Sequence, residues 1–331
     1  MLEEAEREAI IRANPRNAEV IFPYPNGEDL NSRPDQSPSR YVINFRDWPL
    51  SRGPGDKIQS NPVATDYPEC LAIIERRVKP ERIEKKPINS WNKKVSQFWW
   101  HFGQYRWAME EAISHLKQVL VTAEVSKHIS FSFRPSTEAF SHMIIVFAHD
   151  QYFEFVIVQS SIHEVWAREN GSTLETRFRY TPTSCYETFV FPVEPMPLTE
   201  IGRKYYEHRR GIMIDRQEGL TKTYNRFHDA DESAAEIQTL RDLHVEMDGS
   251  VAAAYGWSDL DLGHGFHETK QGMRFTISES ARREVLARLL KLNHERYAEE
   301  VAQGLHDKKG KPKVTGRKGK RTPSDEESLL F

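Results

Sequence analysis

Seven residues, FPVEPMP from Phe191 to Pro197, separate two stretches of this chain that differ in hydrophobic period. Proline fixes φ and lacks a backbone donor, so a segment this rich in it belongs neither to a helix interior nor to a central strand. Upstream, apolar residues alternate: Val119, Val121, Ala123 and Val125, then Ile129, Phe131 and Phe133, then an apolar run from Met143 to Ala148. That period of two predicts strands. Beyond Leu198 the spacing becomes helical, as in Ile237, Leu240, Met247 and Val251. The expected fold is α/β, a mixed sheet with flanking helices, followed by a mainly α-helical C-terminal domain. With 331 residues the chain can hold two domains and bury substantial cores. The expected divisions are a leader helix over 1–17, the α/β domain over 18–195, the helical domain over 196–306, and a tail over 307–331. The Lys/Gly/Pro-rich tail is expected to be disordered.

Local signals fill in this outline. An amphipathic helix is predicted over 1–13, stopping at Asn14-Pro15. Pro23, Pro25 and Asn26-Gly27 open a polar loop that runs to a strand, Tyr41 to Phe45. A Gly/Pro-rich loop from Arg52 to Asp66 leads to a helix from Tyr67 bearing Leu71, Ile74 and Val78, its end disturbed by Pro80. Residues 91–113 read as one aromatic helix with Trp91, Val95, Phe98, Phe102, Tyr105 and Met109 as its core stripe. Trp99, Trp100 and Trp107 fall off that stripe and are expected to cover a second interface. Tyr152 to Arg168 has helical spacing and ends at Asn170-Gly171; Glu175 to Tyr180 reads as a strand with Phe178 and Tyr180 on one face, Arg177 and Arg179 on the other. Ser233 to Glu236 reads as a capping box, and Arg274 to Ile277 as a short strand before Ser278 caps a last helix carrying Val285, Leu286, Leu289 and Tyr297.

Composition excludes several classes. There is no apolar run of membrane length, and the acidic, helical N-terminus is unlike a signal peptide. Two cysteines, Cys70 and Cys185, make neither a disulfide framework nor a zinc site, which points to a reducing cytoplasm. The formal charge is −3, and only the tail, with 8 basic and 4 acidic side chains, is positive. Any nucleic-acid face in the folded part must therefore be assembled by folding. His264-Gly265-Phe266-His267-Glu268 lacks the spacing of the helical zinc motif and is expected to be a structured turn between helices. His228-Asp229 is expected to cap and pack, and no nucleophile triad is signalled.

Three segments carry a resemblance: FPYPNGEDLNSRPDQSPSRYVINFRDWP from Phe22, LTKTYNRFHDADE from Leu220 with LHVEMDGSVAAAYGW from Leu243, and HGFHETKQGMRFTISESARREVL from His264. Together they resemble the part that follows the catalytic domain in bacterial type II restriction–modification enzymes that methylate adenine, the MmeI-like family. The resemblance spans most of residues 18–305 and implies a target-recognition region followed by a helical region. It implies double-stranded DNA and a methyltransferase domain or subunit as partners, with S-adenosylmethionine as the cofactor of that catalytic part. The chain itself shows neither a glycine-rich turn after a strand nor a polar residue followed by Pro-Pro and an aromatic, so no cofactor and no catalytic residue is assigned within it. The leader helix then suggests a truncated or split protein.

Base edges are read by Arg, Lys, Asn, Gln, Asp and Glu, while phosphates take Lys, Arg, Ser and Thr. With the family's loop positions, that chemistry selects Asn31, Arg33, Ser39 and Arg40 in the first loop. It selects Glu124, Ser126, Lys127 and His128 at the turn between two strands, Arg134 and Ser136 after the next strand, and Arg177 and Arg179 on the polar face of the last. Related proteins often carry a basic residue near Glu124, so this departure implies a different target. Two other readings stay open at this point: a helical interaction subunit of the same system, and a metal-dependent hydrolase using His264, His267 and Glu268.

Overall fold

A computed structural model describes residues 1–53, 62–84, 89–103, 106–174, 177–192 and 198–306. Part of the Gly/Pro-rich loop, Tyr105, the start of the Glu175 strand, residues 193–197 and the basic tail lie outside the described residues. The chain forms two compact units that interleave in sequence. The first comprises Met1–Glu124, Ser132–Asp150 and Met213–Thr221; the second comprises Val125–Phe131, Gln151–Ile212 and the chain from Lys222 onward. The α/β reading, with a mainly helical region after it, holds, and the strands are distributed over small antiparallel sheets.

The first unit opens with α1 (Glu4–Ala13), which ends at Asn14 as expected. Strand β1 (Ile21–Pro23) pairs with β2 (Tyr41–Ile43), Phe22 opposite Val42. Between them the expected loop contains a helix, α2 (Gly27–Ser32). Asn26 caps it by accepting from the N–H groups of Glu28 and Asp29, while Asp29 accepts from Asn26 N–H at 3.0 Å. The Asn-Gly pair, a turn signal in isolation, here starts a helix because this reciprocal cap satisfies the first-turn donors. Helices α3 (Pro68–Arg77) and α4 (Lys79–Glu84) are separated at Val78, before Pro80, as the proline predicts.

The aromatic helix expected over 91–113 is instead two helices, α5 (Ser90–Gln97) and α6 (Trp107–Ile113). The break changes the reading of its stripe in part: Phe98 and Met109 still pack against core clusters, but the tryptophans divide differently from the expectation. Trp99 and Trp100 are buried in a core cluster with Val20, Phe45, Tyr67, Cys70 and Ile74, whereas Trp91 and Trp107 are exposed. The indole N–H of Trp100 donates to the Trp48 carbonyl at 2.8 Å, so the polar edge of a buried ring is satisfied. Strand β3 (Gln118–Ala123) follows, and then β4 (Val125–Ser126), the start of the second unit's sheet. Strands β5 (Ser132–Pro135) and β6 (Ile144–Phe147) flank β3, with Leu120 opposite both Phe133 and Phe147. Val119, Leu120 and Val121 are all buried, so both faces of β3 lie in a core.

In the second unit the helical stretch from Tyr152 divides at Ser160. Helix α7 (Tyr152–Gln159) ends there, and the Ser160 hydroxyl accepts from His163 N–H to cap α8 (Ser161–Asn170). Strands β7 (Ser172–Leu174) and β8 (Arg177–Arg179) complete a three-stranded sheet in the order β4-β8-β7. A short helix α9 (Pro182–Cys185) leads to α10 (Leu198–Arg216), α11 (Leu220–Phe227) and α12 (Ala235–Ala254). The capping box expected at Ser233 does not form; Ala234 is the N-cap, and its N–H donates to Glu232 Oε1. His264 to Glu268, expected as a turn, builds a hairpin strand, β9 (Gly265–Thr269), paired with β10 (Gly272–Thr276). Ser278 caps α13 (Glu279–Ala302) by accepting from Ala281 N–H. Val285 and Leu289 are buried, but Tyr297 is exposed rather than part of the core.

Candidate nucleic-acid interface

The β4-β8-β7 sheet gives the clearest polar face of the second unit. Arg179 lies opposite Val125 and Ser172, Phe178 opposite Ser126 and Thr173, and Arg177 opposite Leu174. Because side chains alternate across a strand, Phe178 points to the buried side and both arginines to the other. Lys127 is also exposed and follows the last paired residue of β4; its ammonium donates to Asn225 Oδ1 at 2.7 Å. Arg177 and Arg179 thus lie on the exposed face of this sheet, with Lys127 one residue beyond β4.

Behind them is a buried network. Ser126 and His128 are inside, the serine hydroxyl donating to the His128 carbonyl. His128 Nε2 lies 3.0 Å from Asn225 Oδ1 and its Nδ1 3.2 Å from the Arg274 guanidinium. Arg274 also reaches His228 Nε2 at 2.7 Å and Glu164 at 3.2 Å, and Glu164 accepts from Arg168. Burial, reinforced by Arg274, pushes His128 down to about 4, so it is neutral near pH 7. Burial alone would raise the Glu164 carboxyl, but Arg168 and Arg274 overcome it and hold the group far below its usual range. Ser126 and His128 therefore hold the sheet in position, and Lys127 is the outward member of that turn.

In the first unit the loop carrying Arg33, Ser39 and Arg40 is anchored. Gln36 is buried at a left-handed φ of 55° and donates to the Leu30 carbonyl and to Ser132 Oγ. Gly219 lets a second backbone pass against Asn31 and Ser32; a Cβ there would lie 2.5 Å from the Asn31 carbonyl oxygen. Asn31 is half-buried at the end of α2, Arg33 and Arg40 are exposed, and Ser39 and Glu124 are intermediate. Arg33 Nε donates to Ser37 Oγ at 3.1 Å. Arg134 forms an ion pair with buried Glu138, and the Ser136 hydroxyl donates to the Leu116 carbonyl, so both use their polar groups internally.

The structure thus divides the selected residues. Asn31, Arg33, Ser39, Arg40, Glu124, Arg134 and Ser136 fall in the first unit, and Ser126, Lys127, His128, Arg177 and Arg179 in the second. Sequence reasoning missed Asn225 and Arg274, which lie 98 and 146 residues from the side chains they orient. His264 donates to Asp248 and His267 contacts the Gly263 carbonyl, and no cluster of three metal-ligating side chains occurs among the described residues. No helix among the described residues is long and apolar enough to cross a membrane.

A polar face built on small sheets suits a recognition module. The family described as MmeI, target recognition domain, matches residues 1–193, and the chain belongs to that family. A solved structure of the Type IIL restriction-modification enzyme MmeI in complex with DNA is similar at 18% identity, with a TM-score of 0.58 over 90% of this chain. The chain spans 34% of that MmeI chain. No curated protein matches the sequence.

Proposed function

We propose that this chain reads duplex DNA for a restriction–modification system. The methyl transfer to adenine, with S-adenosylmethionine, would be carried out by a methyltransferase domain or subunit outside the described site. The observation that carries this reading is the exposed pair Arg177 and Arg179, beside Lys127, on a three-stranded sheet within the family's recognition domain. A β-sheet face can enter a groove, where a guanidinium pairs with the O6 and N7 acceptors of guanine or binds phosphate. Arg33, Ser39, Arg40, Asn31 and Glu124 form the second set of proposed contacts. Ser126, His128, Arg134 and Ser136 act by positioning.

Measuring duplex affinity across a salt series tests this reading. Replacing Arg177 and Arg179 with alanine is expected to reduce the salt slope by about 1 for every phosphate that is no longer neutralised, or to cost about 1–3 kcal/mol at one base position for a base contact. Unchanged affinity, slope and sequence preference in the double variant would remove the sheet from the interface.

A further inference from the structure

A cleft of about 500 Å³ in the first unit takes no part in the DNA contacts assigned to the two loops and the sheet. Its size falls within the roughly 300–1,000 Å³ of small-molecule sites. Helix α6 lines it with Trp107, Glu110 and Glu111, residues three and four apart that share a helical face, and its C-cap Ser114 adds to the wall. Phe22 of β1 and Asn44 and Arg46, just beyond β2, also border it.

Three groups there face the solvent of the cleft. Trp107 is 60% exposed, a large ring left uncovered. Asn44 is only 7% exposed; its Oδ1 accepts from Arg46 N–H at 2.8 Å, but its Nδ2 donor has no hydrogen-bond partner among the described residues. The Glu110 carboxylate likewise has no donor among the described residues, and burial raises its pKa against the pull of Arg46. Asn44 and Glu110 also share the walls of a narrow inner hollow of about 30 Å³. The cleft therefore offers a donor, an acceptor and an aromatic face within one enclosure.

We propose that this cleft receives a single unstacked nucleobase, its ring on Trp107 and its hydrogen-bonding edge toward Asn44 and Glu110. Each of the four bases presents an acceptor next to a donor on its pairing edge, and each has a face that stacks on an aromatic ring. Arg46, exposed at the rim with its guanidinium 6.0 Å from the Phe22 ring centre, supplies a cation for the adjoining phosphate. The competing occupant is a lysine side chain of a partner protein, drawn by Glu110 and Glu111. It fits less well, because an ammonium has no acceptor for Asn44 Nδ2 and would meet the charge of Arg46. The proposal rests on the reading that the chain engages DNA.

The test compares the full chain on three duplexes: fully paired, with one unpaired nucleotide, and with an abasic residue at that same bulge. Binding to the unpaired nucleotide is expected to exceed binding to the abasic bulge by on the order of tenfold, the scale of one base stacked on an aromatic side chain. Trp107→Ala should abolish that difference and leave affinity for the paired duplex unchanged. Equal affinity for the two bulges, or a difference that survives Trp107→Ala, overturns the proposal while DNA reading stands. Equal binding of both bulges, together with binding of a lysine peptide to the chain in the absence of DNA that Trp107→Ala abolishes, would assign the cleft to a basic protein segment. If the chain binds no duplex, the DNA-reading function itself fails, and short single strands then decide the cleft: binding that disappears in Trp107→Ala supports it, no binding overturns it.

Discussion

His128 stacks on His228, with ring centres 5.2 Å apart and planes inclined by 23°. Arg274 donates to both rings, and two imidazoles beside a guanidinium stay uncharged because protonating either would add a cation to a buried cluster. The pH dependence follows from that. His128 is pushed down to about 4 and the buried His163 down to about 3, in each case by burial first. In the unfolded chain the same imidazoles take up a proton near pH 6.5. Their contribution to stability is therefore complete above about 6.5 and is lost as pH falls toward about 4, because the unfolded state then binds more protons. The expected slope is about 1.4 kcal/mol per pH unit for each such histidine within that window. Denaturant unfolding at a series of pH values checks it; stability that is flat between pH 6.5 and 4.5 would contradict it.

Arg209 is 2% exposed and donates to Gln159 Oε1, the Tyr224 hydroxyl and the Phe131 carbonyl. Arg209→Met is expected to destabilise by about 2–4 kcal/mol, since it strands acceptors that the fold has already taken out of water. Arg209→Lys should rescue little, because one ammonium cannot reproduce a planar fork. Thermal or denaturant unfolding of the three proteins gives the answer.

Two glycines of α10 separate steric from conformational effects. A Cβ at Gly202 would lie 2.5 Å from Val156 Cγ2 and 2.7 Å from the Tyr152 carbonyl oxygen, whereas one at Gly211 meets nothing within 4 Å. Alanine gains roughly 1 kcal/mol in helix propensity at either position. Gly211→Ala should therefore stabilise by about 0.5–1 kcal/mol. Gly202→Ala should destabilise, since overpacking of about 1–3 kcal/mol outweighs that gain.

Arg33 and Arg134 look alike in sequence and should behave differently. Arg134→Ala leaves Glu138 buried without its cation and is expected to cost about 3 kcal/mol of stability, with the bound sequence unchanged. Arg33→Ala removes an exposed side chain whose Nε donates to Ser37, and should alter DNA affinity with stability within about 0.5 kcal/mol of the parent. Glu124→Ala should change the preferred sequence. Paired unfolding and binding measurements distinguish the two arginines, and a loss of stability in Arg33→Ala would assign it to the scaffold.

What the sequence made legible were the features set by short-range period. The alternation through Val119 and Val121 located β3, and the spacing of Leu71 and Ile74 located α3. Features decided by distant partners were not legible. Asn26-Gly27 carries the same signal in a hairpin and in the cap of α2; the packing of Gly27 against Ala123 belongs to the folded chain. Trp91 was read as core and is exposed, and Trp99 and Trp100, read as lying off the core stripe, are core residues, because helical spacing was carried through a segment where the helix stops. The cleft beside Asn44 was invisible for a related reason. Arg46 adopts a left-handed φ of 52°, rare for a residue with a side chain, and no local residue pattern announces it.

The most direct test of the central claim is selection of bound fragments from a pool of randomised duplexes by the full chain. Enrichment of one short motif, abolished or altered when Arg177 and Arg179 are replaced by alanine, is the predicted result. Retention of fragments without regard to sequence, in both the parent and the double variant, would contradict it.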